Sequence, residues 1–370
     1  MARAEYRVYF DNVPATAEQL ASISEIRIDQ GIGMAAAAEL ELPIATSDAG
    51  LWSGVEDDFA QPFARVRVEV KVASDDFVPL IDGLVVGNRY ELQASPDQSR
   101  MTLVVHDDSV QLNRDEKVAL FEDMAPQDIV TSLFEEAGLT PDVDALPAAG
   151  AALQRVVVQR GTSMQLLRDL AKRYGMFVYV RPGAAPGASV GAFKRPQFAA
   201  TDLPEILLLG DQRNVASFSA EFDALRPLRA RAGSVALADR SVLASSADAA
   251  VGTPLGDAPA HDLTQPALTL LTGTREEQGD LDAATAATVD LSSWAYAANG
   301  EVDIDDYAGV LQPYRLLRVR GVGGYLSGDY LIGQVTHVLT DSSYRQRFAL
   351  HRNARSAGST SGGGLFTGVF

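Results

Sequence analysis

The stretch Ser327–Asn353 reads SGDYLIGQVTHVLTDSSYRQRFALHRN. Tyr330 and Ile332 share one phase of a period-two pattern, while Val335, His337 and Leu339 occupy the other, so the pattern slips by one residue at Gly333. A single glycine at such a slip predicts a β-bulge, which bends and twists the strand that carries it. Asp341, Ser342 and Ser343 are turn formers, and Tyr344, Phe348 and Leu350 return at even spacing. The stretch predicts a long curled hairpin, an element suited to the wall of a barrel.

The amino-terminal residues, 1 to about 110, carry the same period. Arg65–Val72 (RVRVEVKV) places Val66, Val68, Val70 and Val72 on one face and charges on the other, predicting a strand with one buried and one wet face. Tyr6–Phe10, Ile23–Ile28, Ala38–Leu42, Phe77–Val86 and Met101–His106 are further strands, and their spacing is that of a sandwich or barrel.

Residues 111–202 read differently, as an α+β insert. Pro126 suits a first helical position, Asp128 favours the positive helix start, and Ile129, Leu133, Phe134 and Ala137 form a stripe ending at Gly138; Ala125 is a poor cap. In Gly161–Val180 (GTSMQLLRDLAKRYGMFVYV), Thr162 and Gln165 form a capping box, and Met164, Leu167, Leu170, Ala171 and Tyr174 form the apolar stripe. Gly175 stops the helix and Met176–Val180 begins a strand. Pro182–Pro204, rich in Pro, Gly and Ala, is expected to be a linker or exposed loop.

Residues 203–352 form a second β unit with a long insertion around 230–300. Ala230–Ala284 is rich in Ala, Asp, Ser and Thr, so poor packing is expected there, with a helix through Leu281, Ala284, Thr285 and Thr288 ending near Trp294. Residues 353–370 read as a flexible tail whose Gly/Ser tether ends in an apolar hook, Leu365, Phe366, Val369 and Phe370. The fold class is mainly β with an α+β insert.

Composition removes several chemistries. The 370-residue chain has no cysteine, which excludes disulfides, thiolate metal sites and a cysteine nucleophile. A formal charge of −18 opposes a surface for specific nucleic-acid binding, which needs clustered cations. No run of about twenty apolar residues suits a membrane span, and the first residues lack a signal-peptide core.

The remaining constellations favour structure over catalysis. Gly31-Ile32-Gly33-Met34-Ala35-Ala36 resembles a dinucleotide fingerprint, but the next strand follows too soon for a crossover helix, so a hairpin turn is expected. His106, His261, His337 and His351 share no ligand spacing, and His337 lies on an apolar strand phase. Neither Gly-x-Ser-x-Gly nor His-Glu-x-x-His occurs. Asp57, Asp58, Glu135 and Glu136 are the carboxylates considered for glycoside hydrolysis, which requires carboxyls held roughly 5–9.5 Å apart across a cleft. No catalytic, cofactor-binding or metal-binding residue is assigned.

Gly161–Val180, Tyr307–Gly321 (YAGVLQPYRLLRVRG) and Ser327–Asn353, in this order, resemble the phage late control protein D group, relatives of the VgrG proteins and of contractile-tail baseplate hubs. The resemblance implies two tube-forming β-barrel domains per chain and a homotrimer of pseudo-hexameric symmetry. Such a trimer joins the inner tail tube protein to a spike protein, with other baseplate or tape-measure components as neighbours and a central channel for DNA or cargo. It also implies a virion tail baseplate or an extracellular contractile injection particle, assembled in the bacterial cytoplasm, with no stable membrane insertion. Unlike VgrG proteins, the chain has no long β-helical repeat, so a separate spike is implied, with Leu365, Phe366, Val369 and Phe370 as spike-side contacts. A baseplate-associated peptidoglycan hydrolase and a carbohydrate-binding module are the alternatives.

Overall fold

A computed structural model describes residues 4–45, 52, 57–73, 76–95, 98–146, 156–196, 198–199, 202–236, 239–272 and 277–358. The amino-terminal unit consists of β1 (Glu5–Phe10), β2 (Val13–Pro14), α1 (Ala17–Ala21), β3 (Glu25–Gly31), β4 (Ala37–Pro43), β5 (Arg65–Lys71), β6 (Val78–Glu91) and β7 (Arg100–Asp107). Its strands pair antiparallel in the order β3-β4-β7-β6-β5-β1-β2. The alternating apolar residues turn inward, with Ile26, Ile28, Leu40, Val66, Val68, Val70, Leu103 and Val105 all in one core. The Gly31–Ala36 segment is the β3–β4 hairpin turn, with Gly33 at φ +73°.

The insert holds α2 (Ser109–Asn113), β8 (Glu116–Glu122), α3 (Pro126–Glu136), β9 (Thr140–Val143), β10 (Val156–Thr162), α4 (Ser163–Tyr174), β11 (Phe177–Pro182) and β12 (Ser189–Lys194). The capping box at Thr162 and Gln165 forms at the start of α4, and Gly175 closes it in the left-handed conformation. Pro126 occupies the first turn of α3, whose Ala125 cap makes no side-chain bond. The linker expected over Pro182–Pro204 is corrected: Ser189–Lys194 is a buried strand between β11 and β9. Its small residues are packing residues, since a Cβ on Gly191 would come within 2.3 Å of the Phe134 ring.

The carboxy-terminal unit comprises β13 (Ile206–Leu207), β14 (Phe218–Phe222), β15 (Leu228–Val235), β16 (Val242–Ala247), β17 (Ala258–Pro259), β18 (Ala267–Thr272), α5 (Gln278–Ser292), β19 (Tyr296–Asp303), β20 (Leu316–Arg320), β21 (Gly328–Leu339), β22 (Tyr344–Arg352) and β23 (Ala354–Arg355). The expected slip in β21 is present, as its register against β22 shifts between Ile332 and Gln334. Ala230–Ala284 is as loosely packed as its composition predicts, with most of its described residues exposed or half-buried, Val242, Leu268 and Leu270 among the exposed ones. β15, β16 and β18 form a sheet, and α5 meets it through a hydrogen bond of 2.9 Å between the hydroxyls of Ser245 and Thr285. The chain stays bound beyond residue 352: Ala354 is buried and pairs with Pro259, and Ser356 Oγ donates to the Ser327 carbonyl.

The two β units share one sheet. β21 pairs with β22 on one side and with β3 on the other, from Gln334↔Gly31 to Leu339↔Ile26, giving the order β14-β19-β22-β21-β3-β4-β7-β6-β5-β1-β2 within a sheet of 13 strands. The cores follow this continuity, since Ile304, Val310, Leu339 and Tyr344 complete the amino-terminal core. A separate carboxy-terminal core gathers Ile206, Tyr307, Leu317, Tyr330, Ile332, Phe348 and Leu350.

Candidate assembly surface

One face of the shared sheet is polar from β19 to β6. Registers place Glu301, Arg347, Thr336 and Asp29 side by side across four strands, with Asp303, Arg345, Val338, Arg27 and Glu39 in the adjoining row. Side chains join along and across strands: Arg347 Nε donates to Glu301 at 2.5 Å, Arg27 to Asp29 at 3.0 Å, Arg89 to Glu39 at 2.8 Å and Arg100 to Glu41 at 3.2 Å. Thr336 Oγ1 donates to Asp29 across the β21–β3 junction. Glu25, Glu91, Glu221 and Asp303 add to the acids, which outnumber the arginines on this face. Exposed pairs of this kind contribute at most about 1 kcal/mol each, so their effect is a wetted, charge-mixed wall rather than stability.

Beneath the junction lies a buried polar relay. His337 is fully buried, which lowers its pKa to about 3 and keeps the ring neutral; nearby Asp29 opposes that shift. Its Nε2 lies 3.1 Å from Gln30 Oε1, an acceptor, so Nε2 carries the proton and Nδ1 accepts from the Tyr344 hydroxyl at 2.8 Å. Gln30 Nε2 then donates to the Leu80 carbonyl at 2.7 Å. The relay ties β22, β21, β3 and β6 together, and the sequence reading of His337 as a structural residue agrees with this geometry.

A second polar cluster fixes the insert to the amino-terminal unit. The outward face of β5 is not wet, because Arg67 is 1% and Glu69 8% exposed, correcting the alternation read from the sequence. The β11–β12 turn covers this face. Arg67 donates to Glu69 at 2.8 Å, to Asp82 at 3.0 Å and to the Ala185 carbonyl at 3.2 Å, while Gly187 N donates to Asp82 at 2.8 Å. Arg65 bridges Asp82 and Asp108, and Ser189 Oγ donates to Asp108 at 2.6 Å. Nearby Asp107 accepts from the amides of Ala36 and Ser109, and burial raises its pKa to about 6. On the other side, Tyr314 stacks on Tyr179 with centroids 3.8 Å apart, and its hydroxyl accepts from Gly33 N.

The candidate residues read from the sequence do not converge. Leu365, Phe366, Val369 and Phe370 fall outside the described residues. Asp57 and Asp58 are exposed at a 3-10 turn, Glu135 and Glu136 are exposed at the end of α3, and Glu136 pairs with Lys117. His261 and His351 lie on separate elements, His261 bonding to the Asp248 carbonyl. Among the described residues, no group of three or more His, Asp or Glu side chains is placed to hold a metal ion. The β8–β10 ribbon instead shows an unforeseen apolar face, where Val118, Leu120, Val156 and Val158 are exposed. Alternation within these short segments carries that signal.

The family model described as the Alg8 N-terminal domain matches residues 12–341, and the chain belongs to this family. No curated protein matches the sequence. Among solved structures, the chain is similar to the 43 kDa tail protein of prophage MuSo2 from Shewanella oneidensis, at 14% identity and a TM-score of 0.59, over 95% of this chain and 97% of that one. It is similar to a tail protein from Neisseria meningitidis, at 11% identity and a TM-score of 0.60, over 95% and 96% of the two chains. A third is an E. coli component of the type VI secretion system, described as structurally similar to T4 bacteriophage tail proteins gp27 and gp5. It gives 11% identity and a TM-score of 0.56 over 96% of this chain and 79% of that one. At these identities the likeness is one of fold, and the fold is that of tail and baseplate proteins.

Proposed function

We propose that this member of the Alg8 N-terminal domain family is the structural hub of a contractile tail or injection-system baseplate. In this reading it is a homotrimer that joins a hexameric inner tube to a trimeric spike around a central channel. The observation that supports the reading is a pair of bulged hairpins flanking β3–β4 in one continuous sheet, with a further slip in β5–β6 between Val68 and Glu69. β6–β7 slips between Val85 and Gly87, and β21–β22 slips between Ile332 and Gln334, on either side of β3–β4. Each chain then offers two curled walls and three chains offer six, so one particle meets six-fold and three-fold partners together.

The polar sheet face suits the channel. Its arginines are largely paired with acids, and the acids in excess leave a passing polyanion or acidic cargo little to bind. The tube and spike proteins are the proposed partners, with Leu365, Phe366, Val369 and Phe370 as the proposed spike-side contact. The particle would be a virion tail or an extracellular contractile device assembled in the bacterial cytoplasm. A hydrolase reading is not supported by the carboxylates considered for it, since Asp57 and Asp58 lie on one element and Glu135 and Glu136 on another.

Light scattering on the purified chain tests the reading. A mass three times that of the 39.4 kDa chain, alone or on adding the spike partner, is expected. A monomer under both conditions contradicts it.

A further inference from the structure

A cavity of about 400 Å3 opens between the insert and the carboxy-terminal unit, where β11 approaches α5. Phe177, Phe198, Ala286, Leu291 and Trp294 supply apolar wall to it. The three aromatic side chains are only partly buried, and the rings of Phe198 and Trp294 lie with centroids 5.6 Å apart. The charged groups beside them are already engaged. Asp290 Oδ1 accepts from the amides of Val251 and Gly252 at 2.7 and 3.0 Å, and Arg195 donates to the Ala145 carbonyl at 3.3 Å. A concave, largely apolar site of this size suits an uncharged apolar segment, whose burial removes both surfaces from water.

The chain carries such a segment within reach. Leu365–Phe370 (LFTGVF) has no charged side chain and lies outside the described residues. Asn353 lines the cavity and Gly358 is the last described residue, so Gly358 lies no more than about 18 Å from Asn353, the span of five extended residues. From Gly358 to Leu365 the chain can extend about 25 Å, and a Gly/Ser-rich stretch of that length has a mean span of about 15 Å. The tether is therefore long enough to return the hook to the cavity of its own chain. The exposed face of the β8–β10 ribbon has no comparable link to this segment.

We infer that Leu365 and Phe366 seat in this cavity against Phe177, Phe198 and Trp294 of the same chain. The contact goes beyond the hub reading and does not rest on it. A spike protein that takes the same hook has to draw it out of the cavity, which makes the two contacts competitors.

Trp52 and Trp294 are the two tryptophans of the chain, so Trp52→Phe leaves Trp294 as a reporter of the cavity. In that background, Leu365→Ser with Phe366→Ser is expected to shift Trp294 emission to the red and to open it to acrylamide quenching. The free peptide LFTGVF is expected to reverse both changes at roughly millimolar concentration, the effective concentration that a short tether supplies. Emission and quenching that are the same with and without the substitutions overturn the inference. The absence of cysteine allows a second test that keeps both anchors: Ala286→Cys with Gly364→Cys, after mild oxidation, is expected to close a disulfide within one chain, read as a monomer without free thiols on a denaturing gel. Disulfide-linked dimers place the hook in the cavity of a second copy, and unreacted thiols place it in neither; both results overturn the contact. Light scattering reads the hub assembly separately, so either proposal can fail while the other stands.

Discussion

His337 donates from Nε2 to the side-chain oxygen of Gln30 at 3.1 Å, across the junction where the last long hairpin meets the first. Neither residue is exposed to choose another partner easily, and both belong to a relay that ends on the Leu80 carbonyl. The seam that makes two β units into one sheet is therefore tied by a neutral imidazole.

Acid should loosen that seam. The folded-state pKa of His337, about 3, lies below the ordinary value of 6.5, so the unfolded chain takes up the proton first and stability falls as pH falls between them. The expected loss attributable to this ring is about 2 kcal/mol from pH 7 to pH 5. Urea unfolding at the two pH values should show that loss in the wild type relative to His337→Gln.

Asp107 has the opposite slope. Burial raises its folded pKa from 3.8 to about 6, so its contribution is full below the unfolded value and is lost as pH rises through 6. Relative to Asp107→Asn, the wild type should gain about 1 kcal/mol on going from pH 7 to pH 5. The same urea series reads it.

Arg67 holds the insert against β5 through buried partners. Replacing it with Met leaves Asp82 and Glu69 without this cation in a site with little water, and such a change costs about 3–5 kcal/mol. Thermal unfolding should show the loss, and proteolysis should nick the 183–188 turn first.

Gly191→Ala tests the strand that composition concealed. The added methyl meets the buried Phe134 ring, and overpacking of this kind costs about 1–3 kcal/mol. A linker at this position would tolerate the change with no shift in the unfolding midpoint.

Local signals in the sequence were legible where a single residue type forces a geometry. The Thr162–Gln165 box, Gly175, Pro126 and the slip at Gly333 each appear where their spacing indicates. Long-range pairing was not legible. β3 joins β21 across about three hundred residues, and alternation alone does not say which edge a strand will meet. β12 was missed because its Gly and Ala residues look like loop while serving close packing against α3. The wet face assigned to β5 failed for the same reason, since Arg67 and Glu69 pair with each other and with a turn far along the chain. The polar sheet face is a property of registers, so its individual charges were visible and its continuity was not.

Electron cryomicroscopy of the purified oligomer tests the central claim most directly. End-on class averages should show a ring with an open centre, three-fold in symmetry and near six-fold in outline, its inner wall formed by the polar face that carries Arg27, Arg89 and Arg347. A particle without a central opening, or one with that face turned outward to solvent, contradicts the account.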